Sequence, residues 1–289
     1  MRSAKSAVKN SLIKLCKRLG ETSPILLDFS SLGDGKAASL LLDTMRTARY
    51  LEPKTVTAPK GKKVLVIAPH PDDEVIGMGG VMAQMLANEC DIEVISLTFG
   101  EDQAAVEEAK KAAEFMGYRF SHFFGFSTKN ITLDSETLNK FAELAMQANP
   151  DVLFIPFMLD DHDDHRRSSE MLLAAHEKGM LSGMEKTEVW AYQVYTTLPL
   201  NAVVNITDVM DKKLEAIEQY QSRFTQRHWS HFAKGLSAFN VRFLNGNKKQ
   251  DYAEVFLKIS LSNYLKICST YFRNSAGPCY TTESYNERP

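Results

Sequence analysis

Residues 64–74 read VLVIAPHPDDE and join a short apolar run directly to a group of ionisable side chains. The run 64–69 is rich in β-branched residues and carries no charge, which predicts a strand buried on both faces of a sheet. His70, Asp72, Asp73 and Glu74 follow at once. Because open α/β sheets bind ligands at the carboxyl ends of their strands, this junction is where we expect chemistry.

The same alternation of apolar runs and helical patterns continues along the chain. We predict six strands, at 64–69, 92–99, 119–126, 151–157, 188–195 and 202–206. Helical spacing of apolar residues predicts four helices between them, at 75–88, 103–116, about 138–148 and 165–180. Strands that alternate with helices indicate βαβ units. The predicted fold class is therefore α/β, a Rossmann-like, mostly parallel sheet with helices on both faces and a metal site at the carboxyl ends of strands.

The pattern changes after the sixth predicted strand. Thr207 is placed to cap a helix that carries Met210, Leu214 and Ile217. Residues 222–250 are polar and aromatic without a clear period, and we predict irregular structure there. Residues 252–259, YAEVFLKI, are predicted to be helical.

Composition and charge exclude several classes of protein. The 289 residues are 44% hydrophobic and 24% charged, as in ordinary globular proteins, and the formal net charge of -2 offers no general attraction to nucleic acid. The four cysteines form no CxxC pair, which argues against a cysteine zinc site and a disulfide framework. A reducing cytoplasm is the expected location, and no apolar run is long enough to span a membrane.

The expected domain organisation has three parts. Residues 1–60 are an N-terminal extension that ends in a linker rich in Pro, Lys and Gly, residues 61–260 form the main domain, and residues 261–289 are a C-terminal tail. Residues 1–19 carry six basic residues and no acid up to position 18, with apolar residues between them. This pattern fits a helix lying on an anionic membrane surface, or one that packs on its own domain or a partner.

A second charged motif, DDHDDHRR at 160–167, follows the predicted strand 151–157. His162 and His165 are three residues apart, so they share one face of a turn or helix. Two histidines and a carboxylate form the usual first coordination sphere of a catalytic zinc, with one position left open for water. The two motifs together therefore predict a metal centre built from both strand ends.

With its two motifs in this order, PHPDDE at 69–74 and HDDH at 162–165, the sequence resembles the PIG-L/LmbE-like family of metal-dependent deacetylases. The resemblance runs from about residue 63 to about 260. It implies a hydrolase that removes an acetyl group from an N-acetylated sugar of the N-acetylglucosamine type, with Zn²⁺ or another divalent ion as cofactor.

The resemblance also implies a role for each motif residue. His70, Asp73 and His165 correspond to the metal ligands, and Asp72 corresponds to the general base. His162 corresponds to the residue that stabilises the oxyanion and acts as an acid. Asp164 corresponds to the carboxylate that orients His162, and it is expected to raise the pKa of that histidine and keep it protonated.

The sequence departs from the family pattern at three positions: Asp163 replaces a proline, Ala105 stands at the approximate place of a sugar-contacting arginine, and Asp160 stands where some members have tyrosine. These departures affect the expected substrate contacts more than the expected metal site. An additional H-x-x-H, His228 and His231, is predicted to belong to a substrate loop or to be structural.

Several smaller signals have two readings. Trp229 can stack on a sugar, although a core or lid role is the simpler reading. Arg166 and Arg167 suit either an anionic substrate group or charge balance for the acids at 160–164. Gly77, Gly79 and Gly80 lack the spacing of a phosphate loop and are expected to allow close helix–sheet packing.

Three alternatives to a sugar deacetylase remain open at this stage. An amidase that cleaves a larger amide conjugate would use the same residues. A non-catalytic binding module of the same fold is opposed by the full set His70, Asp72, Asp73 and His165. A metal-dependent phosphoesterase would usually need more ligands than the two motifs supply.

Overall fold

The structure is a computed structural model, and it describes residues 53–223, 228–245 and 250–274. The described residues all lie within one unit that comprises residues 50–289. The predicted basic helix at 1–19 therefore lies outside the described residues, as does most of the predicted N-terminal extension. None of the described helices is both long and apolar enough to cross a membrane.

Eight described strands form one sheet. They are β1 (Lys54–Thr55), β2 (Lys63–Ala68), β3 (Asp91–Thr98), β4 (Arg119–Phe126), β5 (Val152–Pro156), β6 (Glu188–Tyr192), β7 (Ala202–Asn205) and β8 (Ala253–Ser260). Seven described α-helices accompany them: α1 (Asp73–Ala87), α2 (Gln103–Met116), α3 (Ser135–Ala148), α4 (Asp163–Glu177), α5 (Met210–Ile217), α6 (Trp229–Asn240) and α7 (Leu261–Asn274). All six predicted strands and all four predicted helices are confirmed, with shifts of a few residues at their ends.

The strand order in the sheet is β1-β7-β8-β6-β5-β2-β3-β4. Among the described strands only β8 runs antiparallel to its neighbours. From β2 the chain builds outward to β3 and β4 on one side, and then returns to add β5 and β6 on the other. The boundary between β2 and β5 is therefore a topological switch point, the position beyond the carboxyl ends of the strands where open α/β sheets bind ligands.

Helices cover both faces of the sheet, as predicted. Along β2, Val64, Val66 and Ala68 join a buried cluster that includes side chains of α1, α2 and α5. Leu65 and Ile67 join a second cluster, which includes side chains of α3, α4 and α7. Each fully buried aliphatic side chain of this kind contributes about 1.5–3 kcal/mol to stability.

The structure corrects three predictions for the region after β7. Residues 253–260 form a strand, not a helix, because β8 is hydrogen-bonded between β6 and β7. The segment 222–250 is not irregular throughout, since it contains α6. The buried positions of α6 are Ala233, Ser237 and Asn240. Because these residues are small or polar, the sequence shows no helical repeat of apolar residues there. Thr207 does not cap a helix: its hydroxyl accepts the backbone N–H groups of residues 251 and 252.

Glycines in α1 allow the helix to lie close to the sheet. A methyl group at Gly77 would come within 2.5 Å of the Tyr192 ring, and one at Gly80 within 2.7 Å of Ile206. This agrees with the packing role predicted for Gly77, Gly79 and Gly80. The helix is kinked at Met78, where φ is -145°.

Two described elements lie outside the predicted main domain at 61–260. The strand β1 pairs in parallel with β7, and α7 follows β8 directly and packs against α4. The strand β1 extends the same sheet, and side chains of α7 join the same core. The division into residues 1–60, 61–260 and 261–289 stays a prediction.

Candidate metal centre

The two charged motifs meet at the switch point of the sheet. His70 follows β2, and Asp73 begins α1. His162 precedes α4, and His165 lies in its first turn. Because β2 and β5 are adjacent parallel strands, their carboxyl ends bring together segments that are about ninety residues apart in the sequence.

Asp73 lies between the two buried histidines. Its Oδ2 is 3.0 Å from His70 Nδ1 and 3.2 Å from His165 Nε2. One nitrogen from each of His70, His162 and His165 also falls within a group whose atoms are all within 4.8 Å of one another. His165 and Asp73 are fully buried, and His70 is 7% exposed.

The donor atoms of this cluster fit a metal ion. Within the described part of the chain, Asp73 Oδ1 and His165 Nε2 are buried without a hydrogen-bond partner, which is costly unless a ligand satisfies them. The 3.2 Å approach of His165 Nε2 to Asp73 resembles the spacing of about 3.3 Å between ligands that sit 2.0–2.1 Å from a tetrahedral Zn²⁺. Two imidazoles and a carboxylate are also the donor types of catalytic zinc sites.

Carboxylates orient both histidines through their second ring nitrogens. Asp164 Oδ2 is 2.9 Å from His70 Nε2, and the backbone N–H of Lys129 donates to both oxygens of Asp164. Asp160 Oδ1 is 2.9 Å from His165 Nδ1. The other oxygen of Asp160 accepts the backbone N–H groups of residues 194–196. Such contacts hold imidazole ligands in one tautomer and one orientation.

The structure gives Asp164 a closer partner than the predicted His162, and it contradicts the predicted protonated state of His162. Asp164 Oδ2 makes its close contact with His70 and lies 3.8 Å from His162 Nδ1. That nitrogen accepts the backbone N–H of Asp164, so a neutral His162 carries its proton on Nε2. Burial, followed by the charges of His70 and His165, lowers the pKa of His162 to about 4. A metal cation in the same place would act in the same direction, so His162 is expected to be a neutral donor.

The negative charge of Asp73 raises the pKa values of His70 and His165. Burial alone would lower both pKa values. The charge of Asp73 and the hydrogen bonds that the imidazoles donate to carboxylates outweigh burial, so that the pKa of His70 rises to about 9 and that of His165 to about 10. Burial likewise opposes ionisation of Asp73, but the two histidines hold the pKa of Asp73 well below its usual range. The pocket therefore keeps a carboxylate that attracts positive charge.

Asp72 lies at the edge of the cluster, before the first turn of α1. Its side chain is 8% exposed, and its backbone has φ 125° and ψ -25°. Residues other than glycine rarely adopt such angles, and strained residues of this kind concentrate at functional sites. Asp72 therefore directly precedes the candidate ligand Asp73 in the sequence and is not one of the three clustered histidine donors.

An aromatic group adjoins the centre on the side of β6 and α6. The Tyr195 ring stacks on His165 at 5.3 Å, and Trp229 and Phe232 pack against Tyr195. The additional pair His228 and His231 is exposed at the start of α6, outside the metal cluster.

The two arginines of the second motif are engaged by other groups. Arg167 binds Glu170 and the carbonyl of Ile131. Arg166 lies against the rings of Tyr271 and Phe272. None of these contacts involves an acid of 160–164, so both predicted roles of the arginines stay predictions.

Sequence reasoning missed Asp160 and Tyr195 as parts of this site. Asp160 precedes His165 by five residues inside the charged motif, so its type and position were a usable signal for a supporting carboxylate. Tyr195 lies in a loop after β6, and nothing in its local sequence indicates that it packs on His165.

Comparison with known proteins agrees with this geometry. Residues 65–176, which span both motifs, match the PIG-L family, described as GlcNAc-PI de-N-acetylase. The chain therefore contains a segment that is similar to the PIG-L family. The predicted resemblance is thus confirmed.

Individual relatives are similar to longer parts of this chain. Diacetylchitobiose deacetylase of Thermococcus kodakarensis is 26% identical over 193 residues, which cover 58% of this chain and 72% of that protein. The structure of N,N'-diacetylchitobiose deacetylase from Pyrococcus horikoshii has a TM-score of 0.59 at 21% identity, covering 77% of this chain and 92% of the other. A 4-carboxy-2-hydroxymuconate hydratase from Pseudomonas putida shares the fold with a TM-score of 0.57 at 21% identity, covering 68% and 95%. The fold alone therefore does not determine the reaction.

Proposed function

We propose that this chain is a metal-dependent hydrolase that removes the acetyl group from the amide nitrogen of an N-acetylated sugar. His70, Asp73 and His165 hold the metal, which is Zn²⁺ or another divalent ion. Asp72 is the general base, and His162 stabilises the oxyanion. Asp164 and Asp160 position the histidine ligands.

One observation carries the proposal: two buried histidines from separate strand ends converge on one carboxylate, and donor atoms are left without hydrogen-bond partners. A binding module has no need of such a centre. The supporting contacts from Asp164 and Asp160 also match the way in which catalytic metal sites hold their ligands.

The substrate class is supported by the relatives. The protein from Thermococcus kodakarensis is a diacetylchitobiose deacetylase, and the match covers 72% of its length. The PIG-L family itself is described by de-N-acetylation of an N-acetylglucosamine conjugate. An N-acetylated glucosamine unit is therefore the substrate proposed for this chain.

The chain's own residues supply the proton transfers. A divalent cation, when bound, polarises a carbonyl group and makes water more acidic. In this proposal, Asp72 takes a proton from the attacking water as the water oxygen bonds to the amide carbon. The carbonyl carbon then becomes tetrahedral, and negative charge develops on its oxygen.

We assign His162 to stabilise this developing charge, because it offers a hydrogen-bond donor in a fixed orientation. Because its Nδ1 accepts the backbone N–H of Asp164, its Nε2–H is available to donate to the oxyanion. The amine leaves only after its nitrogen gains a proton. Asp72, which holds the proton taken from water, can return it to that nitrogen as the C–N bond breaks, so that acetate and free amine are released.

The deciding experiment measures acetate and free amine from the metal-loaded protein. Substrates should include N-acetylglucosamine, N,N'-diacetylchitobiose, a longer N-acyl conjugate of glucosamine and a generic phosphate ester. We expect acetate release from the N-acetylated sugars. Asp72→Asn should retain the metal and lose turnover by about 100-fold or more, as expected for loss of a general base.

Other results would favour another activity. Hydrolysis of the longer conjugate alone would indicate an amidase, and phosphate release would indicate an esterase. A metal-loaded protein that releases neither acetate nor amine from any amide would contradict the proposal. Undiminished turnover by Asp72→Asn would remove that residue as the base.

A further inference from the structure

Asp72 has the most unusual backbone among the described residues other than glycine that have positive φ. The other four, Glu89, Phe99, Lys129 and Asn149, have φ between 41° and 63°, within the left-handed helical region, whereas Asp72 has φ 125°. Conformations outside the favoured regions cost about 1–3 kcal/mol and persist only where the surroundings enforce them. A group that enforces this conformation should therefore contact the backbone of Asp72.

Glu74 provides that contact. Its Oε2 accepts the backbone N–H of Asp72 at 3.1 Å, so the carboxylate reaches back from the first turn of α1 to the residue that precedes the helix. The arrangement resembles a capping box, in which a glutamate in the first turn binds the N–H group at the N-cap. Glu74 is fully buried, and therefore its carboxylate cannot rely on water.

Two tyrosines fix the other oxygen of Glu74. The hydroxyl of Tyr118 donates to Oε1 at 2.7 Å and that of Tyr220 at 2.5 Å. Tyr118 lies between α2 and β4, and Tyr220 follows α5, so both are distant from Glu74 in the sequence. Both rings are buried within the cluster on that face of the sheet. The carboxylate is thus anchored on one side and holds Asp72 on the other.

We propose that Glu74 is a positioning residue for the candidate base: together with Tyr118 and Tyr220 it holds the backbone of Asp72 in the conformation that aims its carboxylate at the substrate. This inference depends on the proposed function, in which Asp72 is the base. A purely structural reading leaves the contact with Asp72 unexplained, because an apolar side chain would fill the same buried space without needing two hydroxyl donors.

Substitution of Glu74 separates positioning from packing. Glu74→Leu keeps a similar volume and removes both acceptors, so Asp72 should relax. We expect kcat to fall about 100-fold, the loss typical of a misplaced catalytic group, with KM within twofold and metal content unchanged. Glu74→Gln retains an oxygen that accepts the N–H of Asp72, and its NH2 group donates to the tyrosine oxygens instead of accepting from them. It should retain most of the activity that Glu74→Leu loses.

Tyrosine variants test whether the two hydroxyls hold Glu74 in place. They also keep the inference testable if a Glu74 variant does not fold. Tyr118→Phe should lower kcat by about tenfold without a change in KM, and its effect should shrink in the background of Glu74→Leu because the two residues act as a unit. Tyr264→Phe is the matched control. Tyr264 is another fully buried tyrosine, but its hydroxyl is bonded to Ser169 and its ring belongs to the buried cluster on the other face of the sheet. Its loss should leave kcat unchanged.

The inference can also be tested without any substrate, by a crystal structure of Glu74→Leu. If that variant does not fold, Tyr118→Phe serves instead. We expect the φ of Asp72 to leave the region near 125°. An unchanged φ, an unchanged kcat in a folded variant, or loss of the metal would each overturn the positioning role. A different result would contradict the proposed function itself: wild-type protein that releases no acetate.

Discussion

Two side chains compete to be the third metal donor beside His70 and His165. Asp73 contacts both histidines, whereas His162 lies within the same cluster and has Nδ1 engaged by the backbone of Asp164. We expect Asp73→Ala to lose the metal, and His162→Ala to keep about one ion per chain while turnover falls. Elemental analysis after gel filtration measures both. Full metal in Asp73→Ala, or none in His162→Ala, would reverse the assignment.

Asp160 should control how tightly the ion is held. Its carboxylate is the partner of His165 Nδ1 and is itself fixed by three backbone N–H groups. Loss of such a supporting group typically weakens metal affinity by about 10–100-fold. We expect Asp160→Asn to show that weakening in a titration against a competing chelator. The neighbouring Asp161 is exposed, so Asp161→Asn serves as the control and should bind like the wild type.

Among the elements, α1 depends on a carboxylate from a distant strand. Glu254 of β8 accepts the backbone N–H groups of Gly80 and Val81, just after the kink at Met78, and so it caps the second half of the helix. Lys213 of α5 binds Glu254 at 2.7 Å, and both side chains are buried. This pair ties α1, α5 and β8 together on the side of the sheet that carries Asp72 and Asp73.

Removing the cation alone should therefore be costly. Lys213→Met leaves Glu254 buried without its partner, and we expect a loss of about 3–5 kcal/mol in the free energy of unfolding. Adding Glu254→Gln should recover part of that loss, because a neutral amide oxygen can still accept a backbone N–H. Urea denaturation of the two variants gives the comparison. A double variant no more stable than Lys213→Met would show that the charge is not the cause.

At the scale of the whole molecule, the metal should link two halves of the sheet. Its proposed ligands follow β2 and β5, so the unfolded chain cannot present them together. A ligand that binds only the folded state stabilises it by about 4 kcal/mol when its concentration is a thousand times Kd. We expect a chelator to lower the Tm by several degrees. Asp73→Ala should start at the lower Tm and show no further change with chelator, and an equal shift in that variant would contradict the link.

Much of this architecture follows from the order of residues along the chain. The runs 64–69 and 151–157 predict buried strands because their composition suits no exposed element, and the adjacent motifs predict the site because chemistry collects at strand ends. Helices such as α2 and α3 are predictable because apolar residues repeat with the helical period. In each case the signal is local.

Packing between distant segments decided the rest. The sequence by itself determined the α/β alternation, the two motifs and the residue types of a metal centre. Only the tertiary structure made 253–260 a strand, since β8 receives its hydrogen bonds from β6 and β7. It also paired Asp164 with His70, Asp160 with His165, and Glu74 with two tyrosines. Hydrogen-bond partners far apart in the chain are chosen by where the elements pack, and no local pattern encodes that choice.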